Sequence, residues 1–212
     1  YNLDELKQEL ISLGEKGYRA EQIFNWLYVE KVKSFDDMTN LSLELREKLK
    51  ENTKNPKFIK TVWGVGYKIE KFDVLDGNAI ETVLMQYHHG KTICVSSQIG
   101  CKMGCKFCAS TGIAFVRGLT SGEIVEQILA VEQDIGEHIS NIVFMGIGEP
   151  FDNYDNVMHA IRIINNQKGL NIGARHISVS TSGLVPRIYD FANEDLQCTL
   201  SISLHATDNT KR

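Results

Sequence analysis

The stretch Thr92-Ile-Cys94-Val-Ser-Ser-Gln-Ile-Gly-Cys101-Lys-Met-Gly-Cys105-Lys-Phe-Cys108 decides how this chain is interpreted. It begins as a short apolar run that is typical of a buried strand, and it continues into a loop with three closely spaced cysteines. Three thiolates are one short of closing a tetrahedral zinc site. They can instead hold three corners of a four-iron, four-sulfur cluster and leave the fourth iron open to a small molecule. The spacing therefore predicts an iron–sulfur centre with Cys101, Cys105 and Cys108 as its ligands.

The alternative is a structural zinc site, which Cys94 or a histidine would complete. Zinc knuckles favour pairs of cysteines spaced C-x2-C with a second pair further along, and the sequence has no second pair. The chain has five cysteines, at Cys94, Cys101, Cys105, Cys108 and Cys198. An odd and clustered set fits a reducing compartment and a metal better than an extracellular disulfide framework. Cys198 lies in an apolar run, and we expect it to pack in the core.

Composition limits the class of protein. The 212 residues are 42% hydrophobic and 24% charged, which is ordinary for one globular domain with a small accessory domain. No run of about 18 apolar residues is present, so we expect no membrane span, and no leader peptide is visible after Tyr1. The net charge of −4 does not indicate a nucleic-acid binder. A local basic strip runs from Arg46 to Lys60, and it is either a solvated helix face or a phosphate-contacting surface.

The periodicity of apolar residues changes along the chain and predicts three regions. Residues 1–53 carry apolar positions at helical spacing and are predicted to form a small helical accessory domain. Residues 54–91 alternate and contain turn signals at Asp76-Gly77 and His89-Gly90, so we expect β-hairpins that connect to the main domain. Residues 92–212 alternate between strand and helix patterns, and Thr120 to Glu123 form a capping box at the start of a helix.

Alternating strands and helices predict an α/β fold with a parallel sheet and right-handed crossovers. About four such units are too few for a closed eight-unit barrel, so we expect a partial, open (βα) barrel. In such folds the chemistry collects at the carboxyl ends of the strands. The cysteine loop and the loop Gly146-Ile-Gly148-Glu149-Pro150 follow predicted strands. The third strand is predicted to end near Ser180 and the fourth, from Cys198 to His205, at Ser203-Leu204-His205, so all four ends would face one mouth.

The loop from Gly146 to Pro150 is a candidate ligand site. Two glycines let a backbone approach a ligand closely, and Glu149 offers a carboxylate that can accept hydrogen bonds from a ligand ammonium group. The third glycine of a dinucleotide-binding fingerprint is absent, so that interpretation is weak. A plain turn between a strand and a helix is the remaining alternative.

The spacing C-x3-C-x2-C resembles that of radical S-adenosylmethionine (SAM) enzymes, whose open iron binds the amino and carboxylate groups of SAM. Together with Phe-Met-Gly-Ile-Gly-Glu-Pro and Gly-Leu-Asn-Ile-Gly-Ala-Arg-His-Ile-Ser-Val-Ser-Thr, the cysteine stretch closely resembles the RlmN family of dual-specificity 23S rRNA and tRNA adenine-C2 methyltransferases. The resemblance covers the whole chain. It implies a partial radical-SAM barrel preceded by a helical accessory domain that helps to bind RNA.

The resemblance also implies roles for individual residues. Cys101, Cys105 and Cys108 would hold a [4Fe-4S] cluster, and the residues lining SAM would be Gly148, Glu149, Ser180, Ser203, Leu204 and His205. Glu81 would accept the proton from the adenine ring. Cys94 would resolve the protein–RNA adduct by forming a disulfide with a methyl-carrying cysteine. The family places that second cysteine near its C-terminus, and Cys198 is in the wrong place for it, so we expect a fragment that does not turn over alone.

The resemblance further implies 23S rRNA and tRNA as partners, an electron donor such as flavodoxin, a monomer and a cytoplasmic location. Three competing interpretations stay open. The first is a Cfr-like adenine-C8 methyltransferase, the second is a radical SAM activase or another enzyme that does not act on RNA, and the third is a zinc-and-RNA binding module without catalysis. Pro150 after Glu149 favours the C2 enzyme over its C8 relative.

Overall fold

The structure is a computed structural model that describes residues 3–12, 14–32, 34–52, 59–64, 67–73, 76–87, 90–206 and 208. Lys54 and Lys57 of the basic strip and His89 of the second turn signal lie outside these residues. The side chains of Lys48, Lys50 and Lys60, the other lysines of this strip, also lie outside the described residues. Phosphate contact by the strip therefore remains a prediction.

The N-terminal region is helical, as its apolar spacing predicts. Its helices are α1 (Leu3–Ser12), α2 (Arg19–Tyr28) and α3 (Leu43–Asn52). Ser42 caps α3, because its Oγ accepts a hydrogen bond from the Leu45 backbone N–H at 3.3 Å. Helices α1 and α2 pack together, and Leu10 of α1 and Phe24 of α2 are buried.

One seven-stranded sheet organises the fold, with β5 and β6 in a separate pair. The strands are β1 (Ile59–Gly64), β2 (Tyr67–Asp73), β3 (Ala79–Tyr87), β4 (Gly90–Cys94), β5 (Gln98–Ile99), β6 (Arg117–Gly118), β7 (Asn141–Phe144), β8 (Ile177–Thr181) and β9 (Thr199–Ile202). The order in the sheet is β1-β2-β3-β4-β7-β8-β9. Strands β1 to β4 pair antiparallel, and β4, β7, β8 and β9 pair parallel. The hairpin strands therefore extend the same sheet that carries the parallel units.

Three helices connect the parallel strands, as a partial (βα) barrel requires. They are α4 (Ser121–Ile135), α5 (Tyr154–Asn165) and α6 (Val185–Ala192). The predicted capping box at the start of α4 is present, with Thr120 and Glu123 bonded reciprocally. Gly136 ends the same helix in the left-handed conformation at φ +66°.

The two faces of the sheet differ sharply. One face is covered by helices and is buried and mostly apolar, with the apolar members Ile93, Val95, Ile142, Phe144, Ile177 and Val179 and the buried polar residues Thr82 and Thr181. Alternate residues point to the other face, which we call the inner face. Strand pairing identifies the residues of the inner face, because Val83 pairs with Cys94, Cys94 with Val143, and Val143 with Ser178. The inner face therefore carries Glu81, Val83, Cys94, Val143, Ser178, Ser180 and Ser201.

The N-terminal helices pack against the barrel units in one continuous hydrophobic cluster. The ring of Phe24 lies so close to Gly169 that a Cβ there would sit 2.6 Å from Phe24 Cε1. Ion pairs reinforce the contact, from Lys31 to Glu132 and from Lys168 to Glu21. No helix in the described part of the chain has the length and apolar character that crossing a bilayer requires.

Candidate cluster and cofactor site

The three cysteines lie in the loop between β5 and β6, at the ends of the parallel strands. The loop is folded into successive turns, since Cys108 N–H donates to the Cys105 carbonyl at 3.0 Å and Thr111 N–H donates to the Cys108 carbonyl at 3.0 Å. Thr111 Oγ1 also donates to the Cys105 carbonyl. The thiols of Cys101, Cys105 and Cys108 are free, and Cys108 is exposed.

Burial raises the pKa of the Cys101 thiol, a hydrogen bond from the Met103 backbone N–H acts in the opposite direction, and the charge of Glu149 adds to the increase. Holding this thiol as a thiolate therefore requires a compensating positive charge, such as a metal centre supplies.

The donor set fits a cluster. In the described residues, no group of three or more His, Cys, Asp and Glu side chains converges on a point where it could hold one metal ion. Thiolates are the usual protein ligands of iron–sulfur clusters, and the loop offers three free thiols within eight residues.

Glu149 is held rigidly at the mouth. The residue is 3% exposed, and its carboxylate accepts hydrogen bonds from Phe151 N–H at 3.0 Å and Ser182 N–H at 2.8 Å. A carboxylate has about four acceptor positions, so capacity remains for a ligand ammonium group. Ser182 follows β8, so the Glu149 carboxylate joins the ends of two neighbouring parallel strands.

The glycines of this loop allow it to pack against the segment before the cysteines. A Cβ at Gly146 would lie 2.7 Å from Ser96 Oγ, and one at Gly148 would lie 2.6 Å from the Gln98 Cβ. Gly148 also has φ +107°, which other residues rarely adopt. The sequence predicts glycines for close approach to a ligand, and the structure adds a second reason, the contact between two loops.

The end of β9 reaches over the same mouth. The β9 strand ends at Ile202, so Ser203 to His205 form a loop, where the sequence predicts that the strand continues to His205. The hydroxyls of Ser180 and Ser203 lie 3.5 Å apart, and Ser203 N–H donates to the Thr181 carbonyl at 2.9 Å. Leu204 is exposed. The His205 ring lies against Phe107, which stands between two of the cysteines.

Glu81 and Cys94 share the inner face. Glu81 lies near the start of β3, which is antiparallel to β4, so it is at the same end of the sheet as Cys94. The Ser96 hydroxyl donates to the Glu81 carbonyl at 2.6 Å and accepts from Ile147 N–H at 3.0 Å. This bridge connects β3 to the loop of Glu149. Burial raises the pKa of the Cys94 thiol, although the Met145 N–H acts in the opposite direction.

Sequence reasoning missed the residues that join these parts. Ser96 and Gln98 are buried, and Gln98 bonds both to the backbone of Glu149 and to Asp152. A signal was available, because a polar run directly after an apolar strand at the mouth of a barrel is unusual unless its side chains have partners.

Comparison with known proteins agrees with this geometry. A family model described as the ribosomal RNA large subunit methyltransferase N-terminal domain matches residues 1–54, and the radical SAM superfamily model matches residues 95–212. The chain is 51% identical over 216 residues to a probable dual-specificity RNA methyltransferase RlmN of Clostridium novyi, covering 100% of this chain and 63% of that protein. It is 48% identical over 223 residues to the protein of that name from Bacillus subtilis, covering 100% of this chain and 60% of the relative.

Among solved structures, a radical SAM methyltransferase from Sphaerobacter thermophilus superposes with a TM-score of 0.89 at 42% identity. The superposition covers 97% of this chain and 62% of that one. The chain thus spans about three fifths of the length of the relatives it matches. It belongs to the radical SAM superfamily and, within it, to the RlmN family.

Proposed function

We propose that this chain is the cofactor-binding part of an RNA methyltransferase that methylates carbon 2 of adenosine in 23S rRNA and tRNA. One observation carries the proposal: the cysteine loop, the buried Glu149 carboxylate and the Ser203–His205 loop meet at one mouth of the sheet, in a chain that resembles RlmN proteins over its full length. Family membership implies a [4Fe-4S] cluster and SAM as cofactors.

Different residues would bind the cluster and SAM. Cys101, Cys105 and Cys108 would each bind one iron, and the carboxylate of Glu149 would accept hydrogen bonds from the SAM ammonium group. Gly148, Ser180, Ser203, Leu204 and His205 would line the rest of SAM. When bound, the reduced cluster and SAM supply a carbon-centred radical. The reaction needs a radical because carbon 2 of adenine lies between two ring nitrogens and is too electron-poor to attack the methyl group of SAM as a nucleophile.

Two residues of the inner face would complete the reaction on RNA. Glu81 would accept the proton from carbon 2. Cys94 would form a disulfide with the methyl-carrying cysteine and so release the methylated adenosine. The thiolate is the attacking form of a cysteine. Because burial raises the pKa of Cys94, a base must take the proton of this thiol before it attacks. The methyl-carrying cysteine is expected outside this chain.

The first 53 residues are proposed to help bind RNA. Their packing against α4 and α5 fixes where an RNA on this region would lie relative to the mouth. An enzyme acting on a base needs that base unstacked and delivered to its pocket, so a fixed accessory surface is useful. A low-potential electron donor, a monomeric state and a cytoplasmic location belong to the same proposal.

Product analysis tests the proposal. A full-length protein containing this chain is reconstituted without oxygen and incubated with SAM, a reductant and unmodified rRNA or tRNA, and the nucleosides are then separated by mass spectrometry. We expect 2-methyladenosine. A product methylated at carbon 8, or no methylated adenosine from a cluster-loaded protein, would reject the C2 assignment.

Variants separate the steps. Glu81→Gln is expected to cleave SAM to 5′-deoxyadenosine but to yield no methylated RNA, whereas Cys94→Ala is expected to accumulate a covalent protein–RNA adduct. Glu137→Gln serves as the matched control, because this exposed carboxylate pairs with Lys91 away from the mouth. Full RNA methylation by Glu81→Gln would remove Glu81 from the mechanism.

A further inference from the structure

Gln98 occupies a central place between the two loops of the site. The residue is 1% exposed, and both ends of its side-chain amide are bonded. Its Oε1 accepts from Glu149 N–H at 2.9 Å, and its Nε2 donates to Asp152 Oδ2 at 2.7 Å. Gln98 therefore holds the backbone of Glu149, the carboxylate proposed to bind the SAM ammonium group.

The connection continues to the cysteine loop itself. Asp152 Oδ2 also forms an ion pair with the Lys102 ammonium group, with Nζ and Oδ2 3.0 Å apart, and Lys102 directly follows the first cysteine. The Lys102 Nζ also lies 4.3 Å from the centroid of the Phe115 ring, in the same loop. Burial acts to raise the pKa of Asp152, but the hydrogen bonds from Lys102 and Gln98 outweigh it and hold the pKa below its usual value. The carboxylate thus stays charged and keeps both partners at neutral pH.

Backbone contacts hold the same two segments in register. The N–H groups of Ser97 and Gln98 both donate to the Ile147 carbonyl, at 2.9 and 3.2 Å. Gly148 presses against the Gln98 side chain with no space for a Cβ. Gln98 is thus fixed at its backbone, and the two hydrogen bonds of its amide hold its side chain in one position.

We infer that Gln98 is a positioning residue that fixes the Glu149 loop at a set distance from the cysteine loop, and so aligns the SAM ammonium site with the open iron. The inference rests on the proposed function. Gln98 itself need not touch SAM. It acts through the Glu149 backbone on one side and through Asp152 and Lys102 on the other.

Replacing Gln98 by methionine, a side chain of similar length without hydrogen-bonding groups, separates cofactor positioning from cluster loading. All three cysteines remain, so Gln98→Met should load the same iron per chain as the parent protein. Its dissociation constant for SAM should rise about tenfold, as expected when the buried Glu149 N–H loses its acceptor. Equilibrium dialysis with labelled SAM, on protein reconstituted without oxygen, measures the affinity.

Gln127→Met is the matched control. Gln127 is equally buried and bonds to Thr82 and to the backbone of Ser96. Its connection to the Glu149 loop runs only through Ser96, whereas Gln98 bonds to that loop directly. The control should lower thermal stability at least as much as Gln98→Met while leaving SAM affinity within about twofold of the parent. A common loss of SAM affinity in both variants would reduce Gln98 to a general packing role and overturn the inference.

A swapped pair tests the hydrogen bond directly. Gln98→Glu places a carboxylate against Asp152 and should weaken SAM binding, whereas the double variant Gln98→Glu/Asp152→Asn restores a donor opposite an acceptor and should recover most of the affinity. No recovery would contradict the proposed connection.

If the parent protein loads a cluster but does not bind SAM, the proposed function and the inference both fail; if the parent binds SAM and Gln98→Met binds it equally well, only the inference fails.

Discussion

The ring of Phe107 stacks on the imidazole of His205, with centroids 3.6 Å apart and planes inclined by 30°. Phe107 stands between Cys105 and Cys108, and His205 follows the last strand of the sheet with φ +54°. The contact therefore joins the cysteine loop to the far end of the mouth. Phe107 is 49% exposed, so the stack lies at the protein surface.

Phe107→Leu should uncouple the two loops without removing a cysteine. The loss of an exposed aromatic pair should lower the free energy of unfolding by only about 1 kcal/mol. Iron content should be unchanged, while SAM affinity should fall severalfold because the Ser203–His205 loop loses its support. Tyr189→Ala, which removes another exposed aromatic ring on α6, is the control. Unchanged SAM binding in Phe107→Leu would assign the stack to packing alone.

The cysteines should differ in reactivity when the protein carries no cluster. Burial raises the pKa of Cys94, and it raises the pKa of Cys198 to about 11. Thiolates are the reactive form, so iodoacetamide at pH 7.5 should modify the exposed Cys108 first and these two last. Labelling of Cys198 should accelerate as the pH rises toward 11. Mass spectrometry of the labelled peptides gives the rates, and equal rates for Cys198 and Cys108 at pH 7.5 would contradict the assignment.

Glu123 should make stability depend on pH. Burial acts to raise the pKa of this carboxyl, but hydrogen bonds from Arg117 and Thr120 outweigh it and the pKa lies below the usual value. A lowered folded-state pKa gives a contribution that is complete above about pH 4.5 and is lost as the pH falls through the folded-state value. Glu123→Gln should therefore cost about 2 kcal/mol at pH 7, with a difference that shrinks below pH 4.

Urea unfolding of the cluster-free chain at pH 7 and at pH 3 measures that difference. The exposed pair of Glu137 with Lys91 provides the comparison, because Glu137→Gln should change stability by less than about 1 kcal/mol at either pH. A pH-independent cost of Glu123→Gln would show that its charge is not the cause.

Glu132 should anchor the N-terminal helices to the barrel. Its side chain is fully buried and accepts from Lys31 Nζ at 2.5 Å, His138 Nδ1 at 2.6 Å and Ile139 N–H at 2.7 Å. Glu132→Ala removes the acceptor for all three donors and should cost about 3 kcal/mol. Hydrogen exchange should then accelerate in α2 more than in α5. Gln133→Ala, which removes an exposed contact to the Lys31 carbonyl, should leave exchange nearly unchanged.

Local signals made much of the fold predictable. The capping box at Thr120 and the alternation of strand and helix after Thr92 depend on neighbours within a few residues, and the structure confirms them. The partial barrel also followed, because parallel strands joined by helices have few alternatives. The cysteine loop at the mouth was predictable for the same reason.

Contacts between distant segments were not predictable in this way. The pairing of Gln98 with Gly118, the stack of Phe107 on His205 and the bridge from Ser96 to Glu81 join residues whose sequence neighbourhoods carry no mark of the partner. The joining of the hairpin strands to the parallel sheet was missed likewise, since periodicity reports burial but not strand order.

Anaerobic reconstitution of the chain and its cysteine variants tests the central claim most directly. The account predicts a brown protein with about four irons per chain, a spectrum that changes when SAM is added, no cluster in Cys105→Ala and a normal cluster in Cys198→Ala. A colourless zinc protein, an iron centre that does not respond to SAM, or equal iron in the two variants would contradict it.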